Sequence, residues 1–296
     1  MRVELVSVPY RYDQRGEGVG GGPDALLAQG LVTQLGEAGV IIGEQVSAEL
    51  DPSQHVAGRT AVNIGHLGAD TARLVAAARA NGGGALVLAG DDTACVGVVA
   101  GLQAAYGVGT RIGIVWFDAH GDFNTPETSY SGILAGMPLA ILAGLAGPLW
   151  REAAGLVAPV PTDRILIAGT RDRDEKEKDL LHSTEVRVVD AAQLREGRAL
   201  AEPVERLARR CDLLYLHLDL DVLDPRFVPS ASTPSANGLT IDELSAATKQ
   251  VLQTGKVSAM SLSSLNPGGG ARGQRSIASA LSLLQRTVPS WTSAPA

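Results

Sequence analysis

Residues 114–126 read IVWFDAHGDFNTP. Four apolar residues, Ile114 to Phe117, run directly into Asp118, His120 and Asp122. Ending a buried strand in two carboxylates and an imidazole is costly, because ionised groups lose their hydration in a dry place. Residues two apart in extended backbone share a face, so these three side chains can converge. The segment YLHLDLDVLDP (215–225) repeats the pattern with His217, Asp219, Asp221 and Asp224, and ALVLAGDDT (85–93) ends in Asp91 and Asp92. Two such clusters at one edge of a sheet hold at least four carboxylates together. Like charges at that spacing do not all ionise without counter-charge. One or two divalent cations would supply it, and two metals sharing bridging carboxylates would clamp a nucleophilic water. Single acids after strands are usually helix caps or loop residues, and Asp91, Asp224 and Asp242 read that way. His217 reads first as a core histidine with a backbone partner, with a ligand role the less favoured alternative.

Working outward, apolar runs recur along the chain: VELVSV, GVIIG, ALVLAG, IGIVWFD, RILIAGT, VRVV, LLYLHLDLD and VSAMSLSSL. They lack the alternation of half-buried strands, which suits strands covered on both faces. Helical patterns such as DTARLVAAARANG and IDELSAATKQVLQTG lie between them. The second reads as starting at Asp242 and stopping at Gly255. Strand and helix alternating through the chain predict an α/β fold with a mainly parallel sheet between helix layers. In such sheets ligands bind beyond the carboxyl ends of the strands, where the acids collect. Residues 1–296 show no composition break, which predicts one domain, with a loosely ordered tail after about residue 287. RGEGVGGGP (15–23) reads as a flexible loop whose glycines let backbone approach something closely. RDRDEKEKD (171–179) reads as a solvated helix start.

A net charge of −7 argues against a nucleic-acid surface. The longest apolar stretch, ILAGMPLAILAGLAG, is interrupted by glycine and proline and reads as a helix with loose ends rather than a membrane span. The opening MRVELVSVPY lacks the basic-then-apolar order of a signal peptide. Cys95 and Cys211 are far apart and read as small buried residues of a reducing compartment. The expectation is a cytoplasmic protein acting on a small molecule.

The paired motifs DAHGDFNTP and DLDVLDPRFVPSASTP resemble the metal signatures of the ureohydrolase superfamily of arginases, agmatinases and formiminoglutamases. The segments GGGPDALLAQGL, ALVLAGDDT, IAGTRDRDEKE and SSLNP follow in that family's order, so the resemblance covers nearly the whole chain. It implies an arginase-like three-layer α/β/α sandwich on an eight-stranded sheet, a binuclear Mn2+ site that activates water against a guanidine or amidine carbon, and a homo-oligomer, commonly a trimer or hexamer. One or two ions are expected, with Mg2+ or another divalent ion as the alternative to Mn2+. Carried over, Asp118 and Asp219 bridge the metals, His120 and Asp221 complete one site, and Asp122 belongs to the other. Asp122 and Asp221 are also the candidate catalytic residues. Asp174 resembles the acid that meets a substrate α-amino group, and Ser131 and Thr233 stand where polar groups line the pocket. Asn124 and Ser264 complete the expected substrate-binding set.

The departures from the family pattern bear on the substrate. Where the family has Gly-Gly-Asp-His-Ser, this chain has AGDDT, so Asp92 stands at a histidine ligand position. A site of Asp92, Asp118, Asp122 and Asp219 would be all oxygen. Ala135 replaces a histidine assigned to proton transfer, and Ile133 falls where arginases place an asparagine that binds the substrate carboxylate. Glu-x-Asn-Pro becomes Ser264-Leu265-Asn266-Pro267, so the acid that pairs with guanidinium is absent, unless Glu127 reaches in to replace it. HGDFNTPET and the segment that follows resemble most the hydroxyarginine hydrolase of D-cycloserine biosynthesis. The reading is a metal-dependent hydrolase of a C–N bond in a guanidino, hydroxyguanidino or amidino compound, not a typical arginase. The competing reading is a non-hydrolytic member of the fold with a degraded metal site, serving as a ligand-binding or partner subunit.

Overall fold

The structure, a computed structural model, describes residues 1–196 and 199–292. All eight apolar runs form strands: β1 (Arg2–Val8), β2 (Ile41–Ser47), β3 (Gly84–Ala89), β4 (Ile112–Phe117), β5 (Ile165–Thr170), β6 (Arg187–Asp190), β7 (Leu213–Asp219) and β8 (Val257–Ser263). They make one sheet in the order β2-β1-β3-β8-β7-β4-β5-β6, and every neighbouring pair is parallel. Every residue of β3, β4, β5, β7 and β8 is buried. That is why their sequences do not alternate: both faces are covered. The edge strand β2 is half exposed and more polar.

Alternate residues feed two separate cores. Leu86, Leu88, Val115, Phe117, Leu216 and Leu218 pack beneath the helices Leu31–Glu37, Ala201–Arg210, Ile241–Leu252 and Gly270–Thr287. Val87, Ile114, Trp116, Tyr215 and Ala259 pack beneath Thr60–Ala80, Cys95–Tyr106, Pro138–Leu142 and Pro148–Ala153. The result is the three-layer α/β/α arrangement expected. Among the described residues no helix is long and apolar enough to cross a membrane.

Local details differ from the sequence reading. The helix Ile241–Leu252 is capped by Thr240 rather than Asp242, through a reciprocal box with Glu243. Asp242 instead pairs with Arg286 at the surface. The stretch 133–147 yields only a short 3-10 turn, Leu134–Gly136, and the helix Pro138–Leu142. Of the tail expected to be loose, the described part packs: Val288 and Trp291 are buried, and the Trp291 indole donates to the Val257 carbonyl at 2.9 Å. Residues 293–296 lie outside the described residues. The glycine-rich segment 15–23 is a 3-10 turn, Gly18–Gly21, leading into the helix Gly22–Ala28. Its glycines do allow close approach, but to the chain's own backbone. A Cβ on Gly22 would stand 2.4 Å from the Leu265 carbonyl oxygen.

Because all eight strands are parallel, their carboxyl ends share one edge. The four central strands, β3, β8, β7 and β4, are immediate neighbours. Asp91 and Asp92 leave β3, Ser263 ends β8 opposite Asp219 of β7, and Asp118 follows β4. Gly90 lies at the neck of this edge, where a Cβ would fall 2.0 Å from the Tyr10 carbonyl oxygen. Gly90→Ala is therefore expected to cost about 1–3 kcal/mol through overpacking against backbone. Gly36→Ala, inside the helix Leu31–Glu37 with nothing near its Cβ, should stabilise by roughly 0.5–1 kcal/mol. Urea unfolding of both variants checks the contrast; equal midpoints would refute it.

Candidate functional site

The acids of the strand ends meet. Asp118 is held at the end of β4 by two donors: the His120 amide to Oδ1 at 2.7 Å and the Trp116 indole to Oδ2 at 3.0 Å. Asp219 ends β7 and accepts the Asp221 amide on Oδ1 at 2.6 Å. Asp221 Oδ1 accepts the Ala119 amide at 3.2 Å, which ties the two motif loops together. The His120 Nδ1 lies 3.2 Å from both Asp118 Oδ1 and Asp221 Oδ2, and Thr233 Oγ1 donates to Asp221 Oδ2 at 3.0 Å. From β3, Asp92 receives the Ser263 hydroxyl on Oδ1 at 2.6 Å and the Ser264 hydroxyl on Oδ2 at 3.2 Å. Asp122 takes a left-handed backbone conformation, φ +48°. Its Oδ2 is buried with no hydrogen-bond partner among the described residues.

Two overlapping groups result. Ligand atoms of Asp118, His120 and Asp221 lie within 4.8 Å of one another, and so do those of Asp92, Asp118 and His217. Asp118 belongs to both, as a bridging residue would. The second group departs from expectation. His217 is not a core histidine on a backbone partner; among the described residues its ring nitrogens face Asp92, Ser261, Ser263, Tyr215 and Cys95 side chains. The set around Asp92 thus contains a nitrogen.

Electrostatics record the crowding. Burial, then the charges of Asp118, Asp92 and Asp219, push the Asp122 carboxyl well above its ordinary range. Burial, then Asp221, Asp92 and Asp118, does the same to Asp219. For His120 burial disfavours the charged ring, but the hydrogen bonds and charges of Asp118 and Asp221 outweigh it and raise the imidazole to about 11. Burial likewise opposes ionisation of Asp221, yet His120 prevails and holds it below the ordinary value. Without added positive charge the fold favours the protonated forms of Asp122 and Asp219.

Above the acids opens a cavity of about 300 Å³. Asp92, His120, Asp122, Asp219 and Asp221 face it, and so do Asn124, Ser131, Asp174, Thr233 and Ser264. Asp118 lies beneath, 1% exposed. Asn124 donates its amide to Asp174 Oδ2 at 3.2 Å, joining two expected substrate residues on one wall. Ile133 and Ala135 also line the cavity, whereas Glu127 is exposed and outside the lining. Asp91 caps the turn after β3, as read, accepting the Thr93 amide at 3.0 Å. Asp224 is the expected loop residue, accepting from Arg226.

Glu177 was the residue missed. In the helix Glu175–His182 it is 2% exposed, accepts the Phe123 amide at 2.9 Å and lines the cavity. The charge-dense stretch is therefore solvated on one side only. Its spacing carried the signal: Asp174 and Glu177 stand three apart, and residues three apart on a helix are neighbours.

Comparison with known proteins agrees with this architecture. The model of the Arginase family matches residues 1–288. The arginase of Bacillus caldovelox is 29% identical over 274 residues, 90% of this chain and 91% of its own. That of Staphylococcus aureus (strain MRSA252) is 30% identical over 278 residues, 90% of each. Among solved structures, the arginase from Bacillus cereus superposes with a TM-score of 0.85 at 27% identity, covering 97% of this chain and 98% of that one. The formimidoylglutamase from Bacillus subtilis subsp. subtilis str. 168, at 17% identity and a TM-score of 0.75, shares the fold.

The raised acids set a pH dependence. Burial first, and then Asp118 and Asp174, lift Glu177 from 4.5 to about 7 against the Phe123 hydrogen bond. A group held protonated in the fold contributes stability that is complete below its unfolded value and lost as pH rises through its folded one. Asp122, Asp219 and His120 shift in the same direction. The chelator-treated protein should therefore melt several degrees lower at pH 8 than at pH 5. Saturating divalent cation should abolish or reverse the difference. Calorimetry at the two pH values decides it; a chelated protein more stable at pH 8 would contradict the assignment.

Proposed function

The chain belongs to the arginase family, and on that premise we propose that it is a metal-dependent hydrolase of a C–N bond in a compound much less basic than a guanidine, such as a hydroxyguanidine. The carrying observation is Ser264. It stands at the cavity wall with φ +63°, its hydroxyl donating to Asp92 Oδ2. Its place in Ser264-Leu265-Asn266-Pro267 is the one where the family resemblance implies an acid. A guanidinium stays protonated at any accessible pH. Burying it beside a neutral hydroxyl leaves a cation uncompensated, at a cost of several kcal/mol. Asp91, another acid lining the cavity, already accepts from Tyr12 and Thr93.

The donor set suits divalent cations. Asp92, Asp118, Asp122, Asp219 and Asp221 with His120 would hold one or two ions, and the unpartnered Asp122 oxygen fits a ligand's role. Oxygen-rich sites with imidazole suit manganese, with magnesium as the alternative. Bound ions of this kind supply a Lewis acid and a water whose pKa falls toward about 7. Asp122 is placed to take a proton from an attacking water, and Asp221 is oriented by His120 and Thr233. Asp174, Asn124 and Glu177 follow β5 and β4, whereas Ser264 follows β8, three strand positions from β5. That is roughly 14 Å at ordinary strand spacing. Such a span suits an extended substrate with an amino group held at the acidic wall and its reacting carbon toward Ser264, with Ser131 lining the same cavity.

The test compares hydrolysis of arginine and hydroxyarginine by the manganese-loaded protein and by Ser264→Glu. The unaltered protein should favour hydroxyarginine by at least about tenfold, and the variant should move the ratio toward arginine. Efficient urea release from arginine by the unaltered protein would refute the substrate class. Metal-loaded protein that binds these compounds without cleaving any would instead support the non-hydrolytic reading.

A further inference from the structure

We propose that His217, on β7, is a direct nitrogen ligand of the deeper cation position, alongside Asp92 and Asp118. This rests on the reading that the cluster holds divalent ions. His217 is fully buried, and its ring lies flat against Trp116 of β4, with centroids 3.6 Å apart and planes 24° apart. The stack leaves the ring few orientations. One nitrogen points down into a polar floor and the other up toward the acids.

The floor holds the lower nitrogen, Nδ1. Tyr215 Oη donates to Cys95 Sγ at 2.8 Å. It also lies 2.6 Å from Ser261 Oγ and 3.3 Å from His217 Nδ1. Ser261 Oγ and Cys95 Sγ lie 2.8 Å and 3.1 Å from His217 Nδ1, so polar partners fix this nitrogen. Nε2, on the opposite edge of the ring, faces the acids. That Nε2 lies 3.1 Å from Asp92 Oδ1, which already receives the Ser263 hydroxyl. A cation beside this pair would be held by both atoms. Adjacent ligands of one ion with bonds of about 2.1 Å stand about 3 Å apart. A metal-bound histidine characteristically has its other nitrogen fixed by a hydrogen bond, and Ser261 supplies one.

A second observation points to the same spot. The buried Asp122 Oδ2 has no partner among the described residues, and Asp122 faces the same cavity as Asp92. The two cation positions then become similar, each with one imidazole: His120 above, His217 below. A nitrogen donor shifts preference from magnesium and calcium toward manganese, cobalt and zinc. The position occupied by Asp92 does not make its site all oxygen, because the imidazole comes from another strand.

Labelling the five histidines with nitrogen-15 and titrating the chelator-stripped protein with zinc, a diamagnetic probe, tests this. Multiple-bond proton–nitrogen spectra read the state of each ring nitrogen. Two histidines should each show one nitrogen moving to a metal-bound shift, with His217 keeping its proton on Nδ1. His217→Asn should remove one of these signals and weaken uptake of one zinc equivalent about tenfold or more. His120→Asn identifies the other signal, so the assignment survives if one variant fails to fold. Zinc bound with only His120 shifted, or with His217 Nε2 still protonated, overturns this proposal and leaves the hydrolase reading standing. No zinc uptake at all overturns both.

Discussion

Repulsion among five carboxylates gathered at the carboxyl edge of four adjacent parallel strands governs this molecule. Asp92, Asp118, Asp122, Asp219 and Asp221 are all buried at that edge. Parallel strands bring their ends together without choice, and the tight neighbour order β3-β8-β7-β4 leaves no room to spread the charge. Burial raises the cost of each ionisation and strengthens each repulsion, since both scale inversely with the local dielectric. Hydrogen bonds from Trp116, Ser263 and backbone amides orient the acids but carry no net charge. His120 answers part of the deficit, and the remainder calls for cations.

The surrounding structure works as a rigid mount for this cluster. Arg171, just after β5, donates to the carbonyls of Asp221 at 2.8 Å, Ser235 at 2.9 Å, Ala236 at 3.0 Å and Val222 at 3.2 Å. One guanidinium thereby pins the loop that carries Asp221 and Thr233. Its planar fork can meet several carbonyls at once, which a lysine could not. On the far side, backbone at Gly90 and Gly22 is packed so closely that no side chain fits. A constellation held this way can keep sub-ångström placement, as metal ligation and directed proton transfer both require.

The cavity is asymmetric in charge. Beyond the cation cluster, Asp172, Asp174 and Glu177 line the cavity after β5, and Asp91 lines it after β3. The wall after β8 offers the neutral Ser264. On the proposed reading, such a pocket would hold a cationic amino group at one end and disfavour an unpaired guanidinium at the other.

Period-two spacing of acids after apolar runs was enough to locate Asp118, His120, Asp122, Asp219 and Asp221, because residues two apart on a strand share a face and no other contact is needed to see it. The eight strands and their parallel arrangement were legible for a similar reason: burial on both faces writes itself as an unbroken apolar run. Glu177 was half legible, hidden in a charged stretch although its helical spacing from Asp174 pointed inward. His217 was not. A single histidine in a strand looks the same whether it faces a carbonyl or a carboxylate, and Asp92 and His217 lie 125 residues apart in the chain. Only the sheet order, which sets β8 between β3 and β7 and pairs β7 with β4, brings Asp92, Ser261, Trp116 and His217 around one point. Local periodicity thus determined which acids and histidines end the strands as candidate ligands, and tertiary packing decided which of them stand together, since contact between strands distant in sequence depends on lateral order that no local pattern encodes.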